Sequence, residues 1–137
     1  MNPADEVAII HLYADYNRTI DEGDIEGWLA TWATDGTFEL PSRAFNGHAE
    51  LRGFGERRIS SLPSQPVGSQ RHWNAEVQVS GDGDGDGDSA SGSCLLMVAG
   101  QDRSSGTWVV VARGRYIDEL TKVDGRWAFR RRTAVLD

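Results

Sequence analysis

The sequence predicts an α+β fold in which three N-terminal helices pack on one face of a curved, mainly antiparallel sheet. Three observations predict it. Helical spacing of apolar residues dominates the chain as far as about Ser61, the period changes to two from Gln70 onward, and Asp124-Gly125 stands between the last two alternating runs as a hairpin signal. Helices segregated before strands give a helix-on-sheet architecture. The 137 residues match the common size of one domain, taken here as 1–137.

The first helix begins at Asn2-Pro3. Asn can cap the end, proline at the first helical position forfeits no needed donor, and Asp5 and Glu6 complement the positive terminus. Ile9, Tyr13, Tyr16 and Ile20 form its apolar stripe, and Gly23 can end it in a left-handed conformation. Asp24 caps a second helix carrying Ile25, Trp28, Leu29 and Trp32. Almost nothing joins the two helices, so they meet at a sharp corner, where Asp21 lies. Asp35-Gly36 signals a turn before a short strand, Thr37–Leu40, which Pro41 breaks. A third helix from His48 to about Ser61 buries Leu51, Phe54 and Ile59 and is weakened by Gly53 and Gly55. Pro63, Pro66 and Gly68 mark a loop. The strands expected beyond it are Arg71–Ser80, Ser93–Gly100, Thr107–Thr121 and Arg126–Val135.

With 14 Lys+Arg against 21 Asp+Glu the net charge is −7, which excludes a basic nucleic-acid surface. No apolar run approaches the ~20 residues of a membrane helix, and the N-terminus lacks the basic and apolar regions of a signal peptide. Cys94, the single cysteine, excludes an intrachain disulfide and a thiolate-rich zinc site and reads as a buried core thiol. These features describe a soluble, reduced, cytoplasmic protein. Asp82, Asp84, Asp86 and Asp88 alternate with glycines like the start of a calcium loop, but the twelfth position is Ser93, where such a loop needs a bidentate Glu. The expectation for 81–88 is a flexible, solvated hairpin loop. His11, His48 and His72 fall on separate elements without ligand spacing, so neither metal nor other cofactor is expected.

Alternation along the first long strand puts His72, Asn74, Glu76 and Gln78 on one face and Trp73, Ala75, Val77 and Val79 on the other. The polar face either meets solvent or lines a polar cavity enclosed between sheet and helices. In the second case an imidazole steered by a carboxylate is a general base near neutral pH. Counting by twos from Trp127 places Phe129 and Arg131 with it and Arg130 and Arg132 opposite, unless a bulge intervenes. His72 and Arg132 would then each lie across from their strand's tryptophan, with Arg130 and Arg131 solvated. Tyr16 is either a core ring with a satisfied hydroxyl or a donor to a ligand, and Asp21 is either a plain helix-end residue or the steering carboxylate. Trp28, Trp32, Phe38 and Phe54 serve equally as core or as the apolar walls of a binding site.

Taken together, Tyr16-x4-Asp21, Trp32-x2-Asp35-Gly36, Arg71-His72, Tyr116-x-Asp118-Glu119 and Asp124-Gly125-Arg126-Trp127-x-Phe129-x2-Arg132 resemble the SnoaL-like branch of the nuclear-transport-factor-2-like superfamily. The likeness is to its subgroup of scytalone dehydratase, bile-acid 7α-dehydratase and hexachlorocyclohexane dehydrochlorinase, and it runs from about Asp5 to Ala134. It implies a cone-shaped α+β barrel, an Asp21–His72 pair, and site roles for Tyr16 and Arg132, although the dehydrochlorinase has Lys at the Tyr16 position. The extra pocket carboxylate of the bile-acid enzyme has no counterpart, since the region after His72 is apolar at Leu95 and Leu96. The subgroup tends to form trimers and other relatives dimers through the sheet, with Trp73, Trp108 and Trp127 as candidates for the buried centre of such an interface.

The resemblance therefore implies a cofactor-independent lyase, a dehydratase or dehydrohalogenase, acting on a small apolar, aromatic or polycyclic substrate in a homo-oligomer. Asp21, His72, Tyr16 and Arg132 would be catalytic, and Trp28, Trp32, Phe38 and Phe54 would bind substrate. Three alternatives stay open: a ketosteroid-isomerase-like isomerase, a non-catalytic small-ligand-binding protein, and an assembly protein like the small subunit of ring-hydroxylating dioxygenases.

Overall fold

The computed structural model describes residues 1–82 and 87–137, so 83–86 of the expected Gly-Asp loop lie outside the described residues. Asn2 caps α1 (Pro3–Glu22), its side-chain oxygen accepting the Asp5 N–H at 2.8 Å, and Gly23 closes the helix at φ 76°. Asp24 accepts the Gly27 N–H at 2.9 Å to start α2 (Ile25–Leu29).

The second helix stops short of Trp32, contrary to the helical spacing. The Phe129 N–H donates to the Thr31 carbonyl at 2.8 Å and Trp32 pairs with Phe129, so β1 (Trp32–Leu40) opens where helix was expected. Long-range pairing has overridden the local period. Asp35-Gly36 is accordingly an irregularity inside β1 and not a turn. Glycine is required there, because a Cβ would sit 2.9 Å from the Trp32 ring. Pro41 does interrupt the strand, but the chain returns as β2 (Arg43–Asn46), an antiparallel partner that carries no local signal. In α3 (Gly47–Ser61), Gly55 has a purpose its helix propensity hides: a Cβ would collide with Ile25 and Trp28, so the residue permits close approach to α2. A short 3-10 turn, Leu62–Ser64, leads to the sheet.

The long strands are β3 (Val67–Gly81), β4 (Ser89–Asp102), β5 (Trp108–Val123) and β6 (Arg126–Leu136), most of them longer than expected. Asp124 and Gly125, at φ 52° and 76°, make the tight β5–β6 turn. The six strands run in the order β2-β1-β6-β5-β4-β3, all antiparallel except for β1 beside β6, with the helices packed on one face. No helix among the described residues is long and apolar enough to cross a membrane.

Two bulges decide which side chains face the helices. Glu76 adopts φ 52° where the β3–β4 register shifts between Ala75 and Gln78. His72 and Asn74 therefore share the inner face with Val77 and Val79, while Glu76 and Gln78, expected beside them, are exposed. On β6, Phe129 opposes Leu120 and Arg131 opposes Glu119, leaving Arg130 as the extra residue. Arg132 is consequently fully buried on the same side as Trp127 and Phe129, where counting by twos placed it opposite. Trp127 itself is a core residue whose indole N–H donates to Asp5 at 2.9 Å, which removes it from the candidate interface tryptophans. Trp73 and Trp108 are exposed at 58% and 61%.

Candidate active site

The first helix lies across the inner face of the sheet, and successive turns meet successive rows of strand residues. Tyr13 donates its hydroxyl to Asp118 on β5, Tyr16 packs on Arg132 of β6, Asn17 donates to Asn74 of β3 at 2.7 Å, and Asp21 meets His72 of β3. The helix thus sorts its polar residues into separate neighbourhoods.

At its C-terminal end, the Asp21 carboxylate takes two bonds from one residue. Oδ2 accepts the His72 backbone N–H at 2.8 Å, and Oδ1 lies 2.6 Å from the imidazole Nδ1. Both side chains are nearly buried, at 3% for Asp21 and 9% for His72. A carboxylate accepts only, so Nδ1 carries the proton and Nε2 of the neutral ring keeps its lone pair. Backbone and side chain are seated together, which fixes the ring's position as well as its tautomer. One helical turn before Asp21, Asn17 holds Asn74, whose amide also donates to the Leu95 carbonyl at 3.2 Å. Neither asparagine was singled out as a site residue from the sequence. Their spacing, four before Asp21 and two after His72, was the available signal.

Further along the helix, Arg132 and Asp118 form a fully buried ion pair. Nε donates to Oδ1 at 2.8 Å and Nη2 to Oδ2 at 3.1 Å. The rings of Tyr116, Phe129, Tyr16 and Tyr13 surround the guanidinium, with centroids 3.8, 4.1, 4.4 and 4.9 Å from its carbon. Burial works against the charge, but Asp118 more than offsets it and holds the guanidinium pKa above its ordinary value. Burial also raises the pKa of Tyr16, so its hydroxyl stays protonated and can donate. Among the described residues Arg132 Nη1 finds no acceptor, and neither do the indole N–H groups of Trp28 and Trp32 close by.

Trp28, Trp32, Phe38 and Phe54 pack together, with Trp28–Trp32, Trp32–Phe38, Phe38–Phe54 and Trp28–Phe54 centroids 5.9, 5.6, 5.3 and 5.9 Å apart, and the first three lie buried in the core. They join the Tyr16 ring, 5.8 Å from Trp28 and 6.0 Å from Trp32, and so form a layer beside the ion-pair region. His72 opposes Val98, which opposes Ala112 on β5, whereas Arg132 opposes Asp118, six residues farther along that strand. The four predicted catalytic residues form two groups, Asp21 with His72 and Tyr16 with Arg132, whose α1 members stand five residues, about 7.5 Å, apart along the helix axis. Among the described residues no three His, Cys, Asp or Glu side chains gather to hold a metal.

The sequence profile of the SnoaL-like domain matches residues 3–133. Among solved structures, the chain is similar to a protein of unknown function from Mycobacterium tuberculosis, at 28% identity and TM-score 0.82, covering 100% of this chain and 77% of that one. It is similar to an NTF2-like protein with a cystatin-like fold from Novosphingobium aromaticivorans, at 21% identity and TM-score 0.83, covering 97% and 82%. A protein provisionally named a scytalone dehydratase, also from Novosphingobium aromaticivorans, aligns at 19% identity and TM-score 0.81, covering 98% and 85%. No curated protein sequence matches the chain.

Proposed function

Because this chain belongs to the SnoaL-like domain family, we propose that it is a cofactor-independent lyase of the dehydratase or dehydrohalogenase type, with His72 as the general base. The observation that carries the reading is the double seat of His72 on Asp21. Asp21 holds Nδ1–H and balances the imidazolium that forms when Nε2 takes a proton from an activated carbon of the substrate. The electron pair left on carbon expels a leaving group from the neighbouring carbon: hydroxide, which takes that proton back from the imidazolium and leaves as water, or halide, after which the imidazolium gives its proton to solvent. In a nearly buried setting the Asp21 charge acts more strongly on the cation than it would in water. Tyr16, protonated at any physiological pH, donates to an oxygen of the substrate. Arg132, occupied by Asp118, acts mainly by holding Tyr16 and Tyr116 in place. The rings of Trp28, Trp32, Phe38 and Phe54 favour an apolar or aromatic substrate body.

The test starts from proton abstraction alone. A panel of ring-bearing β-hydroxy ketones is incubated in D2O and followed by proton NMR, where deuterium next to the carbonyl reports abstraction and loss of water reports elimination. The wild type exchanges at least one probe, and His72→Ala lowers that rate by roughly 10²–10⁴-fold. Exchange that His72→Ala leaves intact would remove the base from the scheme.

The protein also self-associates in this reading, through the outer sheet face that exposes Trp73, Leu95, Ile117 and Val135. Light scattering of a Trp73→Glu/Leu95→Glu variant should report a monomer where the wild type gives a larger species.

A further inference from the structure

A recess of about 340 Å³ lies beside the dyad, between the end of α3, the start of β3 and strands β4 and β5. Two of its lining residues are immediate inner-face neighbours of His72: Val98, directly opposite on β4, and Gln70, two residues earlier on β3. Its walls are largely apolar, and no carboxylate lines it. Arg58 is its one charged lining residue. Gln70 holds that guanidinium from one side, accepting from Nη2 at 3.2 Å, while the buried Nε has no acceptor. A second guanidinium, that of Arg103, clamps the rim by donating to the carbonyls of Gln65 and Leu62 at 2.8 and 3.1 Å. In a chain of net charge −7, this corner joins two cations to an apolar hollow.

We propose that this recess is the part of the substrate site that selects an anion: Arg58 binds a carboxylate on an apolar ring body and so presents the adjoining carbon to His72. The proposal rests on the reading of His72 as the base. Arg58 is the specificity residue and takes no part in bond breaking. The chemistry is complementary on both sides, since a carboxylate supplies the acceptor that the buried Nε lacks and the ring replaces water against Val98, Leu62 and Val67.

Titration calorimetry with 2-naphthoate and neutral 2-naphthamide tests it without any turnover. The wild type should bind the carboxylate about tenfold more tightly than the amide, R58Q should erase that difference by weakening the carboxylate, and R58K should restore part of it. Thermal melting of R58Q checks that the fold is kept. Equal affinity of the two probes for the wild type, or an unchanged preference in R58Q, overturns the proposal. The His72 imidazole NMR signals locate the site: naphthoate must shift them, and Arg58-dependent binding that leaves them unmoved overturns the link to the dyad. Failure of His72 as a base would show only in the deuterium-exchange assay, so the two readings fail separately.

Discussion

Asp118 and Asp21 are each met by nitrogen donors from the inner face of the sheet, and they are finished in opposite ways. Asp118 accepts from Arg132 through both oxygens and from the Tyr13 hydroxyl, and four aromatic rings cover the cation. Asp21 also accepts through both oxygens, but from the backbone and one ring nitrogen of the same residue, so the opposite nitrogen of His72 is not consumed by the pair. Both pairs are buried or nearly so. Burial alone therefore does not single out a reactive group. What separates them is the kind of valence left over: the Asp118–Arg132 pair keeps a donor, Nη1, inside its aromatic cover, and the Asp21–His72 pair leaves a base facing outward from its partner.

The largest expected effect breaks the closed pair. Asp118→Ala strands a buried guanidinium and should cost about 3–5 kcal/mol in urea denaturation, as should Arg132→Ala by stranding a carboxylate. The double variant Asp118→Leu/Arg132→Met should recover much of that loss, because the cost lies in the uncompensated charge. If either single substitution moved stability by less than about 1 kcal/mol, the pair would not be a structural element and the contrast would fall.

A second, smaller effect concerns the open pair. Asp21→Asn should slow deuterium exchange by roughly 10–100-fold, since an amide can no longer balance the imidazolium, while leaving unfolding within about 1 kcal/mol of the wild type. A large stability loss with unaffected exchange would reverse the roles assigned to the two regions.

The two regions also differ in how far sequence reasoning could reach them. The family resemblance is what pairs Asp21 with His72, because local pattern leaves each a plain reading: a residue at the helix corner closed by Gly23, and one on the polar face of an alternating strand. Arg132 was picked out, but its facing was not, because Arg130 is a bulged residue and nothing local announces one. The same holds at Glu76, whose positive φ reverses the inner face after Asn74. Asp118 stood in view in the run Tyr116-x-Asp118, but its pairing with Arg132 depends on strand register. So do β2 and the parallel β1–β6 pair, which cut the second helix short at Leu29. The gaps arise where contacts between distant segments, and not local spacing, decide the geometry.

Cys94 offers the finest measure of how tightly the ion-pair region is closed. It pairs with Tyr116 across β4 and β5, is 3% exposed, and burial pushes its thiol up to about 11. At pH 8 that reduces the thiolate fraction by roughly two to three orders of magnitude below a free cysteine. Iodoacetamide should therefore label native protein only as fast as the core opens, and Asp118→Ala should accelerate labelling while Asp21→Asn leaves it unchanged. The same shift has a thermodynamic counterpart with a definite sign. The folded thiol holds its proton to a higher pH than the unfolded one, so its contribution to stability is intact below pH about 9 and declines between about 9 and about 11. Cys94→Ala should flatten that part of the pH–stability curve. Rapid labelling of the native wild type would mean that the aromatic cover opens on its own, leaving the two pairs alike in access and different only in chemistry.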